Sequence, residues 1–229
     1  MSARAEDVLE QLTRMGSQKN RDGMARYGIT ARRVLGVSGA QLKPFARKVG
    51  KDHALALDLR KSGVFEARAL AALVADPREL TSADMDRWVK EFENWADCDS
   101  TCLQLFVRHE AAFSKAMTWS RRREEIVRRA GFAMMAALAV HAKKEPDARF
   151  LPLLKRIEGG AHDERKLVKK SVNWALRQIG KRSRFLNREA ISTGRRIRRQ
   201  GTKSARWIAA DALRELESPA VHARLLKRK

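Results

Sequence analysis

The feature that most constrains the fold is a helical sequence pattern that recurs at intervals close to 40 residues. Residues 127–138 (VRRAGFAMMAAL) align with residues 168–179 (VKKSVNWALRQI) at an offset of 41. Residues 175–179 (ALRQI) recur at 212–216 as ALREL at an offset of 37, and residues 66–73 (EARALAAL) are a weaker copy. A period near 40 residues made of two helices is typical of HEAT and armadillo repeats.

Apolar residues are spaced as in helices along most of the chain. Stripes at i, i+3 and i+4 predict helices at 67–74, 102–107, 127–140, 167–179 and 204–216. Breaks are predicted at residues 36–39, 76–77, 145–146, 159–160, 194 and 218–219, with helix starts at Ser82 and at residues 163–164. Strand signals are almost absent, because the chain has one tyrosine and no Asn-Gly turn between alternating runs.

These patterns predict an all-α fold, a HEAT/armadillo-like helical repeat solenoid that forms a single domain over residues 1–229. Each helix pair of a solenoid buries its apolar face against its neighbours, and the stack leaves a long concave surface. A chain of this size buries roughly 70% of its unfolded surface, which is enough for a core. An ordinary helical bundle, in which small alanines recur by chance, is the alternative.

Positive charge is concentrated in the second half of the chain. The whole chain has 49 Lys and Arg against 27 Asp and Glu, a net charge of +22. Residues 1–114 hold 18 basic and 16 acidic side chains, whereas residues 115–229 hold 31 and 11. This asymmetry predicts a basic concave surface that attracts a polyanion. Nucleic acid is favoured over a membrane, because no basic amphipathic helix presents an apolar aromatic face. A solvated surface without a binding role is the alternative.

Several other classes of protein are disfavoured. No run of 18 apolar residues is present, so we expect no transmembrane helix, and the charged amino terminus resembles no signal peptide. Cys98 and Cys102 are too few and too close for a disulfide framework, which suggests a reducing, cytoplasmic compartment. The cysteines and histidines lack zinc-ligand spacing, and no glycine-rich phosphate-binding motif is present. We therefore expect neither a metal nor a cofactor.

One short segment of this basic chain is acidic and aromatic. Residues 91–102 (EFENWADCDSTC) carry four acids and no base. Since carboxylates repel phosphates, such a segment is either structural or faces something cationic. Trp95 and Asp99 are four residues apart and share one helical face, whereas Asp97 points away from it. In the structural alternative, Asp97, Asp99 or Ser100 caps the following helix and Trp95 lies in the core.

The other four tryptophans divide into two groups. Trp174 follows Asn173 in a stretch of small residues beside basic side chains. Trp88, Trp119 and Trp207 lie in apolar helical stripes, and we predict that they are core residues. Trp174 is therefore the second tryptophan, after Trp95, that the sequence places near a candidate site.

An ordered set of short motifs resembles a known protein family. The motifs are Met24-Ala-Arg-Tyr, Leu35-Gly-Val, Trp95-x3-Asp99-Ser, Arg128-Arg129-Ala-Gly-Phe, Asn173-Trp174-Ala-Leu-Arg and a closing segment at 205–216. The set is similar to the DNA alkylation-repair glycosylases of the AlkD type, in order from about residue 10 to residue 217. The resemblance rests on the order of the motifs, because no single one is specific.

The resemblance implies a solenoid that wraps duplex DNA and excises cationic N3- and N7-alkylated purines by hydrolysing the N-glycosidic bond. By position, it assigns Asp99, Trp95 and Trp174 to a catalytic cleft, where two indoles and a carboxylate face the deoxyribose. It assigns Arg129 and Tyr27 to contacts with the DNA. It also implies excision without flipping of the base into a pocket, unlike most glycosylases.

The sequence departs from the family pattern beside the candidate site. Family members often have a second aromatic residue next to the first tryptophan of the cleft, but here Asn94 and Ala96 flank Trp95, and Asp97 adds a second acid. Some relatives with the same fold lack excision activity. A non-catalytic HEAT-like protein that recognises branched or distorted DNA is therefore the alternative function, and a solenoid that binds acidic protein partners is a third.

The expected chemistry suits these residues. An N3- or N7-alkylated purine is already cationic, so it leaves as a neutral base without a general acid. The sugar then resembles an oxocarbenium ion, which a carboxylate stabilises while it positions water. Each indole face attracts a cation by roughly 0.5–2 kcal/mol. We therefore expect a monomeric, monofunctional glycosylase for duplex DNA that is selective for charged lesions.

The residues expected to hold phosphates are Arg121, Arg122, Arg123, Arg128, Arg129, Lys169, Lys170, Arg195, Arg196, Arg198 and Arg199.

Overall fold

The computed structural model describes residues 1–227, which form two compact units. The units are Met1–His109 and Glu110–Lys229, so their boundary lies close to the point where the charge balance changes. Within the described residues there is no β-strand, only an isolated bridge between Arg33 and Val64. The all-α prediction is confirmed, while the grouping of both units into one domain stays a prediction. None of the described helices combines the length and the apolarity needed to cross a membrane.

The first unit, which the structure describes completely, contains seven α-helices. They are α1 (Ala3–Met15), α2 (Gln18–Arg26), α3 (Gly39–Val49), α4 (His53–Lys61), α5 (Phe65–Val74), α6 (Ser82–Lys90) and α7 (Trp95–Gln104). All except α5 begin at a side chain whose oxygen accepts a hydrogen bond from a backbone N–H group of the first turn. These capping residues are Ser2, Ser17, Ser38, Asp52, Thr81 and Asn94.

The second unit contains a further seven α-helices in the part that the structure describes. They are α8 (Ala112–Trp119), α9 (Glu125–His141), α10 (Leu151–Gly160), α11 (Lys166–Gly180), α12 (Arg184–Arg199), α13 (Lys203–Leu216) and α14 (Pro219–Leu226). Helix α9 packs on α8 and α11, and α13 packs on α11 and α12. Successive helix pairs therefore stack on one another, as in a repeat protein.

Hydrogen bonds at a constant sequence offset join α11 to α13. The amide Nδ2 of Asn173 donates to Oδ2 of Asp211 at 2.7 Å. One turn later, Nη1 of Arg177 donates to Oε2 of Glu215 at 2.8 Å. Both pairs are 38 residues apart. The constant offset means that α11 and α13 pack parallel to each other in one register, as equivalent helices of successive HEAT-like repeats do.

The predicted helices are confirmed at 67–74, 127–140, 167–179 and 204–216, but residues 102–107 do not form one helix. Helix α7 ends at Gln104, and a 3₁₀ turn follows at Phe106–Arg108. The start expected at residues 163–164 is also displaced, because α11 begins at Lys166. The start at Ser82 is confirmed, with Thr81 as its cap.

The break predicted at Gly194 is wrong, because this glycine lies inside α12. A Cβ atom at this position would lie 3.0 Å from Cδ2 of Leu213 on α13. Glycine at this position therefore allows α12 and α13 to pack closely and does not form a turn.

Among the tryptophans, Trp88 and Trp119 are core residues as predicted, with 2% exposure each. Trp207 is not, since 41% of it is exposed.

Candidate active site and nucleic-acid interface

Helix α7 begins inside the acidic segment, and Asn94 is its cap. Oδ1 of Asn94 accepts hydrogen bonds from the backbone N–H groups of Ala96 and Asp97, each at 3.0 Å. Nδ2 of the same amide donates to the carbonyl of Thr30 at 3.1 Å, which ties α7 to an earlier loop. The hypothesis that a residue within 97–100 caps this helix is therefore wrong. The pattern Asn-x-x-Asp before a helix was the sequence signal for the true cap.

Asp97 points into the first unit, away from the shared face of Trp95 and Asp99, as predicted. It is 1% exposed, and its Oδ2 lies 3.8 Å from Nη1 of Arg68. Burial raises the pKa of Asp97 to about 6, although the positive charges of Arg60 and Arg68 oppose the rise. Asp97 is therefore an internal carboxylate that a nucleic acid does not reach.

Two arginines of the first unit pair with Glu91 and Glu93 of the acidic segment. Nη2 of Arg60 lies 2.7 Å from Oε2 of Glu91, and its guanidinium carbon lies 4.3 Å from the ring centroid of Trp88. Nη2 of Arg68 lies 2.9 Å from Oε1 of Glu93. The sequence reasoning missed both arginines, although a run of acids without nearby bases requires partners from elsewhere in the chain.

Trp95 and Asp99 lie on α7 with side chains that are partly exposed. The indole Nε1 of Trp95 donates to the carbonyl of Tyr27 at 2.9 Å, which fixes the orientation of the ring. The side chain of Tyr27 itself is 77% exposed. The structure thus separates the two aspartates of this helix: Asp97 is internal, and Asp99 shares an accessible face with Trp95.

Trp174, the third residue of the predicted cleft, lies on α11 in the second unit and is also partly exposed. The preceding residue, Asn173, is 3% exposed and holds Asp211 through its amide. This anchor fixes the turn of α11 that carries Trp174. A joint role with Trp95 and Asp99 stays a prediction.

Most of the predicted phosphate-binding residues lie at the surface of the second unit. Arg121, Arg122, Arg123, Lys170, Arg195, Arg198 and Arg199 are exposed, and Lys169 and Arg196 are half-buried. Arg195 pairs with Glu217 and Arg196 with Glu158, each at 2.9 Å. Within the part of the chain that the structure describes, Lys170 and Arg198 pair with no acidic side chain. These two cations are therefore available for a polyanion.

Arg128 and Arg129 connect the repeats of the second unit. Arg129 is 5% exposed, and its Nη1 donates to the carbonyl of Leu167 at 2.8 Å. Nε of Arg128 lies 3.2 Å from Oδ2 of Asp163, which is also buried. Arg129 therefore has a structural role between the repeats, and its assignment to a DNA contact stays a prediction. Arg128 is half-buried and is correspondingly weak as a phosphate ligand.

The described residues contain no group of three or more His, Cys, Asp or Glu side chains placed to hold a metal ion. Cys98 and Cys102 are both buried and are not joined by a disulfide.

A family model described as "DNA alkylation repair enzyme" matches residues 8–216, which is nearly the whole chain. The chain belongs to this family. A solved structure that is 19% identical superposes with a TM-score of 0.79 and covers 96% of this chain and 95% of its own. It is described as "a new family of proteins related to the HEAT-like repeat DNA glycosylases with affinity for branched DNA structures". At that identity, the likeness establishes the fold of this family member. No curated protein sequence matches it.

Proposed function

We propose that this member of the DNA alkylation repair family binds duplex DNA and excises cationic N3- and N7-alkylated purines. The observation that supports this most strongly is the separation of the two aspartates on α7. Asp97 is buried beside Arg68, whereas Asp99 shares an accessible face with Trp95. An accessible carboxylate beside an indole suits a sugar that develops positive charge.

The proposed reaction is hydrolysis at C1′ of the alkylated nucleotide. The C1′–N bond breaks, and its electron pair leaves with the purine, which becomes neutral. Asp99 stabilises the oxocarbenium-like sugar and orients a water molecule. That water adds to C1′ and releases one proton, so the products are a free base and an abasic site. Trp95 lines the sugar with its ring face.

The proposed DNA contacts come mainly from the second unit. Its 31 basic and 12 acidic residues leave a large positive excess, and Lys170 and Arg198 are exposed cations. Lys and Arg bind phosphates and release counterions, which gives affinity without sequence preference. We expect a monomer that acts on DNA in the cytoplasm.

The test is single-turnover release of 7-methylguanine from methylated duplex DNA by the wild type and by Asp99→Asn, at matched salt. We expect release by the wild type and a rate at least tenfold lower for D99N, with DNA affinity retained, because the substitution removes only the charge. Equal rates for the two proteins would retain the glycosylase but remove Asp99 from the reaction.

A non-catalytic function is the second candidate, because the solved relative of the same fold is described as having affinity for branched DNA. In this case the basic surface of the second unit binds branched or distorted DNA, and Asp99 has no chemical role. The decisive result would be no base release by the wild type, together with tighter binding to a four-way junction than to a duplex of equal length.

A further inference from the structure

Trp207 lies at the surface of the second unit, at the amino-terminal end of the contact between α11 and α13. It is 41% exposed, more than any other tryptophan of the chain. Nζ of Lys169 on α11 lies 5.2 Å from the centroid of its ring. Leaving a large aromatic side chain in water forgoes stabilisation that burial would provide. The exposed part of the ring is accessible to a ligand.

Side-chain pairs at a constant sequence offset join α11 to α13, and we call this series of pairs the ladder. The Lys169–Trp207 pair lies at its solvent-exposed end. It has the same offset of 38 residues as the two hydrogen-bonded pairs further along these helices, Asn173 with Asp211 and Arg177 with Glu215. In each of those pairs, the polar groups of the two side chains form a hydrogen bond with each other. Among the described residues, neither the ammonium of Lys169 nor the indole N–H of Trp207 has a hydrogen-bond partner. The pair thus presents a cation, a ring and a donor at the surface.

Exposed cations flank the Lys169–Trp207 pair along both helices. Lys166 lies one turn before Lys169 on α11, and Lys203 lies one turn before Trp207 on α13. Both are exposed, and neither pairs with an acidic side chain in residues 1–227. This arrangement of one ring among several cations is complementary to a nucleotide, which combines a flat base with an anionic phosphate.

We propose that the Lys169–Trp207 pair is a binding site for one unpaired base of DNA and its phosphate. The base stacks on the indole, while Lys166, Lys169 and Lys203 contact the flanking phosphates. A base inside an intact duplex is stacked on its neighbours and offers no face to a protein ring, so the pair responds to unpaired nucleotides only. This inference rests on the proposed DNA binding and adds the structural feature of DNA that the second unit recognises.

The test compares two DNAs of equal length without alkylated bases at one salt concentration, a perfect duplex and a duplex with a single-nucleotide bulge. The bulged base is 2-aminopurine, whose fluorescence falls when it stacks. We expect the wild type to bind the bulged duplex about tenfold more tightly, since stacking on one aromatic ring supplies an effect of this order. Binding should also quench the 2-aminopurine.

Three variants give the assay its controls. Trp207→Leu should lose both the preference and the quenching, whereas Trp207→Phe, which keeps an aromatic ring, should retain most of both. Because Trp207 is exposed, neither substitution opens a cavity in the core. Phe185→Leu is the matched control, since Phe185 is an aromatic residue on α12 with a similar exposure of 40%. It should behave as the wild type.

The outcomes separate this inference from the proposed function. If the wild type binds both DNAs equally, or if W207L keeps the preference, the inference is wrong and DNA binding stands. A preference lost equally in W207L and in the Phe185 control would also overturn it, because the effect would not be specific to the pair. If the wild type binds neither DNA, the proposed DNA binding fails as well.

Discussion

The two units of this protein use charge in opposite ways. The first unit, Met1–His109, has 18 basic and 15 acidic residues, whereas the second, Glu110–Lys229, has 31 and 12. In the first unit, the side chains of Arg60 and Arg68 point into the interior and form ion pairs with residues of the acidic segment. In the second, acids such as Asp211 and Glu215 join neighbouring repeats, and the surplus cations remain outside.

This difference shows that net charge alone does not locate a binding surface. Charges that are buried and paired are little affected by dissolved ions, whereas exposed charges are screened by salt. Electrostatic effects in the first unit should therefore appear in stability and its pH dependence. Those of the second unit should appear in binding and its salt dependence. The following predictions test this division, from the largest expected effect to the smallest.

The largest effect is expected in the salt dependence of DNA binding. If six to ten phosphates are contacted, affinity falls by about 10³–10⁵ between about 50 and 200 mM salt. Replacing Lys170 or Arg198 by glutamine should lower the slope of log affinity against log salt by about 1 each. The matched control is Lys48→Gln, an exposed cation on α3 of the first unit. Equal changes in slope for all three variants would remove the distinction between the units.

The next effect concerns helix packing in the two units. A Cβ atom on Gly131 of α9 would lie 2.2 Å from the backbone nitrogen of Ser120, so G131A should lower the free energy of unfolding by about 3 kcal/mol. Gly23 of α2 has nothing within 4 Å of the same position, and G23A should raise stability by about 0.5–1 kcal/mol. Urea denaturation of both variants measures the contrast. Similar losses in both would contradict the tight repeat packing.

The buried carboxyl of Asp97 predicts a pH dependence of stability. Its pKa is raised from 3.8 to about 6 in the folded protein, so the folded state binds this proton more tightly than the unfolded state. The stabilisation is fully present below about pH 4 and is lost as the pH rises through 6, with a total of up to about 3 kcal/mol. Asp97→Asn should lack this slope. The check is the free energy of unfolding of both proteins at pH 5 and pH 7.5 in one salt, and parallel slopes would refute the assignment.

The smallest effect is expected in the repeat ladder. A double-mutant cycle on Arg177 and Glu215, which are about 30% exposed and 2.8 Å apart, should give a coupling free energy of about 1 kcal/mol. The more exposed pair of Arg195 and Glu217 should give less than about 0.5 kcal/mol. A reversed order would show that the ladder does not stabilise the stack.

The sequence predicted the parts of the fold that depend on local periodicity. The long stripes of α9, α11 and α13 identified the helices, and the four-residue spacing of Trp95 and Asp99 separated them from Asp97. Features that depend on residues distant in the sequence were either not predicted or predicted wrongly. Gly194 resembles a break until Leu213 of another helix is seen to pack against it. Trp207 lies in an apolar stripe, but 41% of it stays exposed, and Lys169 of the neighbouring repeat lies over its ring.

The partners of the acidic segment show the same limit. Arg60 and Arg68 lie about 30 residues before the acids that they bind, and nothing in the local sequence indicates that they turn inward. Arg129 matched the family motif by position, yet its guanidinium donates a hydrogen bond to the carbonyl of Leu167 inside the second unit. A motif gives the residue and its place in the chain, whereas burial by neighbouring helices decides whether it reaches a ligand.

The most direct test of the proposed glycosylase compares the two aspartates of α7 in one assay. Single-turnover release of 7-methylguanine is measured at pH 7.5 for the wild type, Asp97→Asn and Asp99→Asn, with DNA saturation verified for each. The accessible Asp99 should be essential, so D99N should lose at least tenfold in rate, while D97N should stay within about threefold of the wild type. A greater loss in D97N than in D99N would contradict the assignment of the internal and the catalytic carboxylate.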